Sequence, residues 1–352
     1  MPRAQMPLLT RRQCSAALLA AGAPFLAAPL LADERASVLA AAKREGAMAL
    51  ATSLSLAEFP RFLAAFNRLY PFLELNSGYY SAPTGRVLAR IDAELAADAL
   101  SFDVMHIASV AAFMAYARKG HLLAYASPER DAHLPGSYYG DQWATARIVG
   151  IIMAYNKHRL APDQAPRAWV DLLRPELKGR KLVIQDSAAG TTFNQFYLLE
   201  QELGVDFLKR LSAQQPVIVA TAVQLIDLLV RGEALVGASV DHYRAFEPAA
   251  VKAGIVGVYP REGMPIAAVP IAIFRRAPHP NAAKLFVDFV LSHEGQQLLC
   301  VDIFGAYSTR ADVAPPAGQI TLEQAKPLRP KDLMAYEAAA AKFPEHFDTL
   351  FK

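Results

Sequence analysis

Cysteine is scarce in this sequence, since only Cys14 and Cys300 occur among its 352 residues. Cys14 belongs to an N-terminal segment that we expect to be removed, which leaves Cys300 alone. An intramolecular disulfide is then impossible, and so is a metal site made of several thiolates. The chain is therefore not a small scaffold that depends on disulfides for its stability.

A net charge of one sign is also absent once the first 32 residues are set aside. Three of the 36 basic residues, all arginines, lie in those 32 positions, whereas none of the 33 acidic residues does. The remaining chain therefore carries 33 basic and 33 acidic residues. This balance gives no strong attraction to nucleic acid or to an anionic membrane, so we expect neither as a partner.

The first 32 residues have the order of a secretory leader. Arginines come first, an apolar run from Ala16 to Leu31 follows, and the sequence turns polar at Asp33. The apolar run contains two prolines and is shorter than the ~20 residues of a membrane-spanning helix. We therefore predict a signal peptide over residues 1–32, cleavage after Ala32 and a soluble periplasmic protein that does not insert into the membrane.

The pair Arg11-Arg12 favours export by the twin-arginine route, which carries folded proteins. An ordinary leader that happens to contain two arginines is the alternative. Cys14 precedes the apolar run instead of closing it, which argues against a lipoprotein.

The remaining residues alternate between apolar strand-like runs and helical patterns, which predicts an α/β fold. In the first part we predict strands at 48–52, 73–75 and 103–107, and helices at 57–69, 84–97 and 110–118. A second set has strands at 181–185, 234–240 and 255–259, and helices at 169–173, 192–203, 222–231 and 241–253. Helices at 281–291, 294–299 and 332–342 complete the chain.

Two long apolar strands, 147–155 and 266–274, flank the second set. A strand of about nine residues spans roughly 30 Å, which is long enough to leave one sheet and enter another. We therefore predict two α/β lobes joined by a two-strand hinge with a cleft between them. The first lobe would comprise 33–148 plus 270–352, and the second lobe 149–269.

Several segments resemble the exported solute-binding proteins of ABC importers, in the subgroup that includes ferric-iron binders. The clearest are APHPNAAKLFVDFVLSHEGQQLL at 277–299 and WVDLLRPELKGRK at 169–181. The resemblance implies a type II periplasmic-binding-protein fold. It also implies a monomer that has neither a cofactor nor catalytic residues. Such a protein closes on a small ligand and delivers it to a permease in the inner membrane.

Ligands of such folds lie at the carboxyl ends of strands and at helix N-termini. Hydroxyl groups and free backbone N–H groups there suit an anion, and an arginine can neutralise it. Helix capping is the alternative for the hydroxyl residues, a salt bridge for each arginine, and a solvated position for His242. The candidate ligand-binding residues are Ser53, Ser55, Tyr80, Ser81, Thr84, Arg86, Ser109, Arg147, Asp186, Ser187, Thr191, Thr192, Asp241, His242 and Tyr243.

Ferric iron is the alternative ligand, and it would use Tyr243 and Tyr80, because this hard cation prefers phenolate and carboxylate oxygens. The resemblance implies two adjacent tyrosines where this chain has His242 and Tyr243, so we assign no metal site. An exported enzyme that reuses the two-lobe fold is the alternative from another class. It would need a nucleophile with a base, and His242 is the one plausible base among the candidates.

Overall fold

The computed structural model describes residues 27–54, 59–75 and 79–352. Most of the predicted leader lies outside the described residues, and so does the candidate site residue Ser55. The first described helix, Ala27–Glu45, runs past the predicted cleavage position after Ala32. Removal of the leader therefore stays a prediction.

Helices account for much of the described chain. They are α1 (Ala27–Glu45), α2 (Phe59–Leu69), α3 (Thr84–Ala96), α4 (Val110–Arg118), α5 (Thr192–Leu203), α6 (Val205–Ser212), α7 (Ala222–Arg231), α8 (His242–Phe246), α9 (Pro248–Lys252), α10 (Pro280–Leu291), α11 (His293–Gln296) and α12 (Leu333–Phe351). Short 3₁₀-helices lie at Arg130–Ala132, Trp169–Leu173 and Pro175–Leu177, and a π-helix at Gln297–Phe304. Within the three described ranges, no helix is both long and apolar enough to cross a membrane.

The strands form one connected mixed sheet. They are β1 (Leu50–Thr52), β2 (Tyr79–Ser81), β3 (Val104–His106), β4 (Tyr138–Tyr139), β5 (Trp143–Asn156), β6 (Leu182–Gln185), β7 (Val217–Val219), β8 (Val236–Asp241), β9 (Ile255–Val258), β10 (Met264–Ile273) and β11 (Pro327–Leu328). The main order is β2-β1-β3-β10-β5-β8-β6-β7. The mixture of helices and a central sheet confirms the predicted α/β class.

Two groups of parallel strands lie on either side of the long strands β5 and β10. Strand β1 pairs in parallel with β2 and β3, and β6 pairs in parallel with β7 and β8. Strand β5 is antiparallel to β10 up to Gly150 and then pairs with β8 and β9. The β1–β3 group and the β6–β8 group are thus linked through β5, as expected for a crossing strand.

The pairing of β5 with β10 contains a bulge. Arg147 lies opposite Val269 and Thr145 lies opposite Pro270, so Ala146 has no cross-strand partner. Pro270 has no backbone N–H to donate to the neighbouring strand, which accounts for the irregularity at this position.

Helix α4 shows how the local sequence sets the element boundaries. Its apolar residues Val110, Phe113 and Tyr116 recur at helical spacing and are buried. The hydroxyl of Ser109 accepts a hydrogen bond from the backbone N–H of Ala112 at 3.3 Å, which caps the first turn.

Aromatic residues fill the core on both sides of the molecule. Near the β1–β3 group, Phe62 and Phe66 of α2 pack edge-on or tilted against Phe286 and Phe289 of α10. The C-terminal helix α12 contacts α4, α5 and α6, and it packs Phe343 and Phe347 against Phe196. Helix α12 is therefore in contact with helices that follow strands of both groups.

Some predicted elements differ from the structure. The run 73–75 is a loop with a single bridge between Ala47 and Glu74, and the strand next to β1 is β2 instead. The predicted helix 241–253 is divided into α8 and α9 at Glu247, and Pro248 begins the second helix. Helix α12 continues beyond the predicted end at 342 and passes through Pro344.

Candidate functional site

The two strand groups meet where their carboxyl ends face each other. The loop before α5 approaches the β1–β3 group so closely that a Cβ added at Gly190 would lie 2.9 Å from the Thr84 hydroxyl. The same Cβ would lie 3.1 Å from the Cβ of Ala108. Strand β5 passes between the groups at this point and contributes Arg147.

Arg147 is a buried cation without hydrogen-bond partners for two of its nitrogens. Its exposed fraction is 6%, and its Nε and Nη1 make no hydrogen bond within the part of the chain that the structure describes. The guanidinium carbon lies 5.0 Å from the centre of the Phe304 ring. Buried N–H groups without acceptors are costly, so these two nitrogens suit hydrogen bonds to an anion from outside the chain.

His106 ends β3 and faces the same region. Its side chain is 1% exposed, and its Nε2 has no hydrogen-bond partner in the described ranges. Burial, and secondarily the charge of Arg147, lowers the pKa of His106 to about 3. The imidazole is therefore neutral at pH 7 and can donate or accept one hydrogen bond to a ligand.

Asp241, the last residue of β8, and Thr191, directly before α5, are the residues of the site on the side of the β6–β8 group. The Thr191 hydroxyl donates a hydrogen bond of 2.9 Å to Oδ1 of Asp241. Burial raises the pKa of Asp241, while Thr191 and the nearby Arg244 and Arg147 oppose this effect. Arg147, His106, Thr191 and Asp241 together are called the Arg147 site below.

His242 is held against β5 and is not solvated, so the alternative of a solvated position is wrong. It is fully buried, and its Nδ1 accepts a hydrogen bond of 3.0 Å from the backbone N–H of Gly150. Its ring stacks on Tyr307 with 4.5 Å between centroids. Burial lowers the pKa of His242 to about 3, so it too is neutral at pH 7.

Several of the predicted hydroxyl residues have local roles. Ser109 caps α4, and the Ser81 hydroxyl donates to the carbonyl of Leu54. The backbone N–H of Ser53 donates to the carbonyl of His106 at 3.2 Å and so joins β1 to the end of β3.

Thr192 is 1% exposed, and its hydroxyl has no hydrogen-bond partner among the described residues.

The charged candidates outside the Arg147 site lie in different surroundings. Arg86 is exposed in the first turn of α3. Asp186 accepts hydrogen bonds from the neighbouring Ser187 hydroxyl at 3.3 Å and from the backbone N–H of Ala188 at 2.9 Å. It also forms an ion pair of 3.1 Å with Lys352.

The two tyrosines of the iron alternative are each covered by an arginine. The Arg90 guanidinium lies 4.4 Å from the centre of the Tyr80 ring, which also packs against Phe102. The Arg244 guanidinium lies 4.9 Å from the centre of the Tyr243 ring. The described residues contain no group of three or more His, Cys, Asp or Glu side chains arranged to hold a metal ion.

Of the four residues in the Arg147 site, Arg147, Thr191 and Asp241 are among the candidates predicted from the sequence, and His106 is not. His106 lies inside the strand predicted at 103–107, and the predicted candidates comprise only residues beyond that strand end. Side chains alternate between the two faces of a strand, so the sequence places His106 on the same face as Val104, which is a weak signal.

Comparisons with known proteins give a family and a fold. The sequence profile of the bacterial extracellular solute-binding proteins matches residues 74–300. An uncharacterised protein of Haemophilus influenzae is 31% identical over 164 residues, which is 44% of this chain. The chain thus spans about half (47%) of the length of that curated relative.

Solved structures have the same architecture over most of this chain. The periplasmic binding protein AfuA of Actinobacillus pleuropneumoniae, with fructose-6-phosphate bound, has a TM-score of 0.74 at 23% identity and covers 87% of this chain and 98% of its own. Iron-bound HitA of Pseudomonas aeruginosa has a TM-score of 0.73 at 18% identity and covers 86% and 99%. These likenesses confirm the predicted type II periplasmic-binding-protein fold.

Proposed function

Because this chain belongs to the bacterial extracellular solute-binding proteins, a family of substrate-binding components of ABC transporters, we propose that it captures a small anionic solute at the Arg147 site. The solute would bind between the β1–β3 and β6–β8 groups and then be delivered to an ABC permease in the inner membrane. The lobe boundaries predicted at 148/149 and 269/270 are part of this proposal.

The unpartnered guanidinium of Arg147 is the observation that carries the proposal. The charge of Arg147 acts on the buried carboxylate of Asp241, but no acceptor among the described residues forms a hydrogen bond with Nε or Nη1 of Arg147. An anionic ligand would supply the missing acceptors through charge-assisted hydrogen bonds to Nε and Nη1. The empty protein would then carry a stability cost that ligand binding removes.

Asp241 and His106 support a solute that also carries hydroxyl groups. The carboxylate of Asp241, which accepts from the Thr191 hydroxyl, can accept further hydrogen bonds, and the neutral imidazole of His106 offers one more. Hydroxyl groups of a ligand would satisfy both side chains. A phosphorylated or carboxylated polyol has this combination of groups.

Ferric iron is the second candidate ligand. The structural neighbour HitA is iron-bound, and Tyr243 of this chain follows the end of β8. The positive charge of Arg147 would repel a bare trivalent cation, and Tyr80 packs under Arg90 on the α3 side of the sheet. The repulsion at Arg147 and the packing of Tyr80 favour the anion over the metal.

Binding is also favoured over catalysis. The histidines at this place, His106 and His242, are buried with pKa values of about 3. A general base works best with a pKa near the operating pH, so neither side chain suits that role at pH 7.

A thermal-shift experiment tests the proposed ligand class. Purified protein is heated with fructose 6-phosphate, inorganic phosphate, citrate, uncharged fructose or ferric citrate. We expect at least one phosphate or carboxylate to raise Tm and fructose to leave it unchanged, because a ligand that binds only the native state stabilises it.

Iron is identified in the same experiment by colour. If only ferric citrate raises Tm, and a visible tyrosinate-to-iron absorption band appears that Tyr243→Phe removes, the ligand is iron and the proposed anion is wrong. A shift with fructose equal to that with fructose 6-phosphate would refute a role for the negative charge.

A further inference from the structure

Gln296 touches the backbone of β5 at the bulge that precedes Arg147. Its side chain is fully buried, and its Nε2 donates a hydrogen bond of 2.6 Å to the carbonyl of Ala146. Ala146 is the residue of β5 without a cross-strand partner. The amide of Gln296 therefore donates to a backbone carbonyl that lies at the register shift between β5 and β10.

The orientation of the Gln296 amide is fixed from both sides. Nε2 donates a second hydrogen bond of 2.8 Å to the carbonyl of Val290. Oε1 accepts hydrogen bonds from the Ser308 hydroxyl at 2.7 Å and from the backbone N–H of Thr309 at 3.3 Å. A flipped amide would lose the hydrogen bonds to both carbonyls and the one from the Thr309 N–H, because the Ser308 hydroxyl alone can serve as donor or acceptor.

The Ala146 carbonyl and the Arg147 nitrogen belong to the same planar peptide group. Holding the carbonyl therefore fixes the plane from which the Arg147 side chain leaves the backbone. The π-helix that begins directly after Gln296 ends at Phe304, whose ring lies under the Arg147 guanidinium. Residues 296–304 thus contact both the peptide group before Arg147 and its guanidinium.

These contacts explain why serine, glycine and glutamine occur together in the motif Ser292-His293-Glu294-Gly295-Gln296. The Ser292 hydroxyl caps α11 by accepting from the N–H of Gly295 at 3.0 Å. A Cβ at Gly295 would lie 1.7 Å from the carbonyl oxygen of Phe289, so only glycine fits there. Serine and glycine shape the turn, and the turn directs Gln296 towards β5.

We propose that Gln296 is a positioning residue for Arg147: its amide holds the Ala146–Arg147 peptide so that the guanidinium points into the ligand site. The proposal rests on the proposed function for its effect on binding. Its effect on Arg147 itself is independent of any ligand and can be measured in the empty protein.

The first measurement is the arginine Nε–H signal of Arg147 in ¹H–¹⁵N NMR spectra, assigned by its loss in Arg147→Met. We expect Gln296→Met to shift this signal and to raise its hydrogen-exchange rate at least about tenfold, because the peptide is no longer held. Gln214→Met is the matched control, since Gln214 is also buried and donates to a backbone carbonyl, that of Leu173. An unchanged signal in Gln296→Met overturns the proposal.

The second measurement is a double-mutant cycle on the affinity for fructose 6-phosphate. Gln296→Met should weaken binding about tenfold alone and have no further effect in the Arg147→Met background, because Gln296 acts through Arg147. Equal losses in both backgrounds would overturn the proposal. If no variant binds the sugar phosphate, the proposed function is in question while the NMR result still decides the role of Gln296.

If Gln296→Met does not fold, Ser308→Ala takes its place in both measurements. This change removes one donor to Oε1 of Gln296 at a partly buried position. We expect the same shift of the Arg147 signal with a smaller amplitude, and an unchanged signal overturns the proposal.

Discussion

The two buried neutral histidines, His106 and His242, predict a specific loss of stability at acidic pH. Burial lowers the pKa of each from 6.5 to about 3. The unfolded chain therefore takes up a proton as the pH falls below about 6.5, whereas the folded chain does so only near pH 3. The stability that depends on the neutral form is present above pH 6.5 and is lost as the pH falls towards 3.

The magnitude follows from these pKa values by proton linkage. Between pH 7 and pH 4.5 each histidine should lower the free energy of unfolding by about 2.5 kcal/mol, because pH 4.5 lies well below one pKa and above the other. Asp241, with its raised pKa, acts in the opposite direction over part of this range. The comparison of a variant with the wild type removes that contribution.

Urea denaturation at pH 7 and at pH 4.5 measures the effect. The stability difference between the two pH values should be about 2.5 kcal/mol smaller in His106→Asn, and likewise in His242→Asn, than in the wild type. His293→Asn, at an exposed position of α11, serves as the control. A pH dependence that is identical in the wild type and both buried-histidine variants would refute the reasoning.

Three further changes test the packing around the site and in the core. Gly190→Ala places a Cβ 2.9 Å from the Thr84 hydroxyl, so it should weaken fructose 6-phosphate binding by about 1–3 kcal/mol in calorimetry; unchanged affinity would show that these groups need not approach. Tyr336→Phe removes a buried hydrogen bond of 2.8 Å to Oδ1 of Asn194 and should cost about 1–2 kcal/mol of unfolding free energy, measured in urea. Phe286→Ala should cost about 3–5 kcal/mol in the same assay, because Phe286 is 1% exposed, and a loss below 1 kcal/mol would contradict its place in the core.

The helices with clear signals at both ends could be predicted from the sequence to the residue. Helix α7 begins after Thr221, whose hydroxyl accepts from the N–H of Gln224. It ends at Gly232, which adopts the left-handed conformation with φ of 74°. Local chemistry sets both boundaries, so no tertiary information is needed.

The elements that differ from prediction depend on tertiary contacts. Leu73 and Leu75 are buried as a strand would be, yet the pairing partner of β1 is β2. Pro344 would end an isolated helix, but Phe343 and Phe347 pack against α5 and hold α12 together across it. The energy of this packing exceeds the local preference of proline.

Two residues of the candidate site, Thr191 and Asp241, could be predicted because they lie at element boundaries. Thr191 directly precedes α5 and Asp241 is the last residue of β8, and the hydrogen bond between them joins two positions that are 50 residues apart. The free nitrogens of Arg147, by contrast, depend on which hydrogen-bond acceptors fail to reach them in the fold. The order of residues along the chain contains no information on that absence.

Calorimetric titration of Arg147→Met with fructose 6-phosphate and with inorganic phosphate tests the central claim most directly. Arg231→Met is the control, because Arg231 pairs with Glu233 on the exposed end of α7. We predict that the wild type and the control bind at least one of these anions with equal affinity and that Arg147→Met binds it at least about 30-fold more weakly, a loss of roughly 2 kcal/mol. Equal affinity in all three proteins would contradict the assignment of Arg147 as the anion-binding residue.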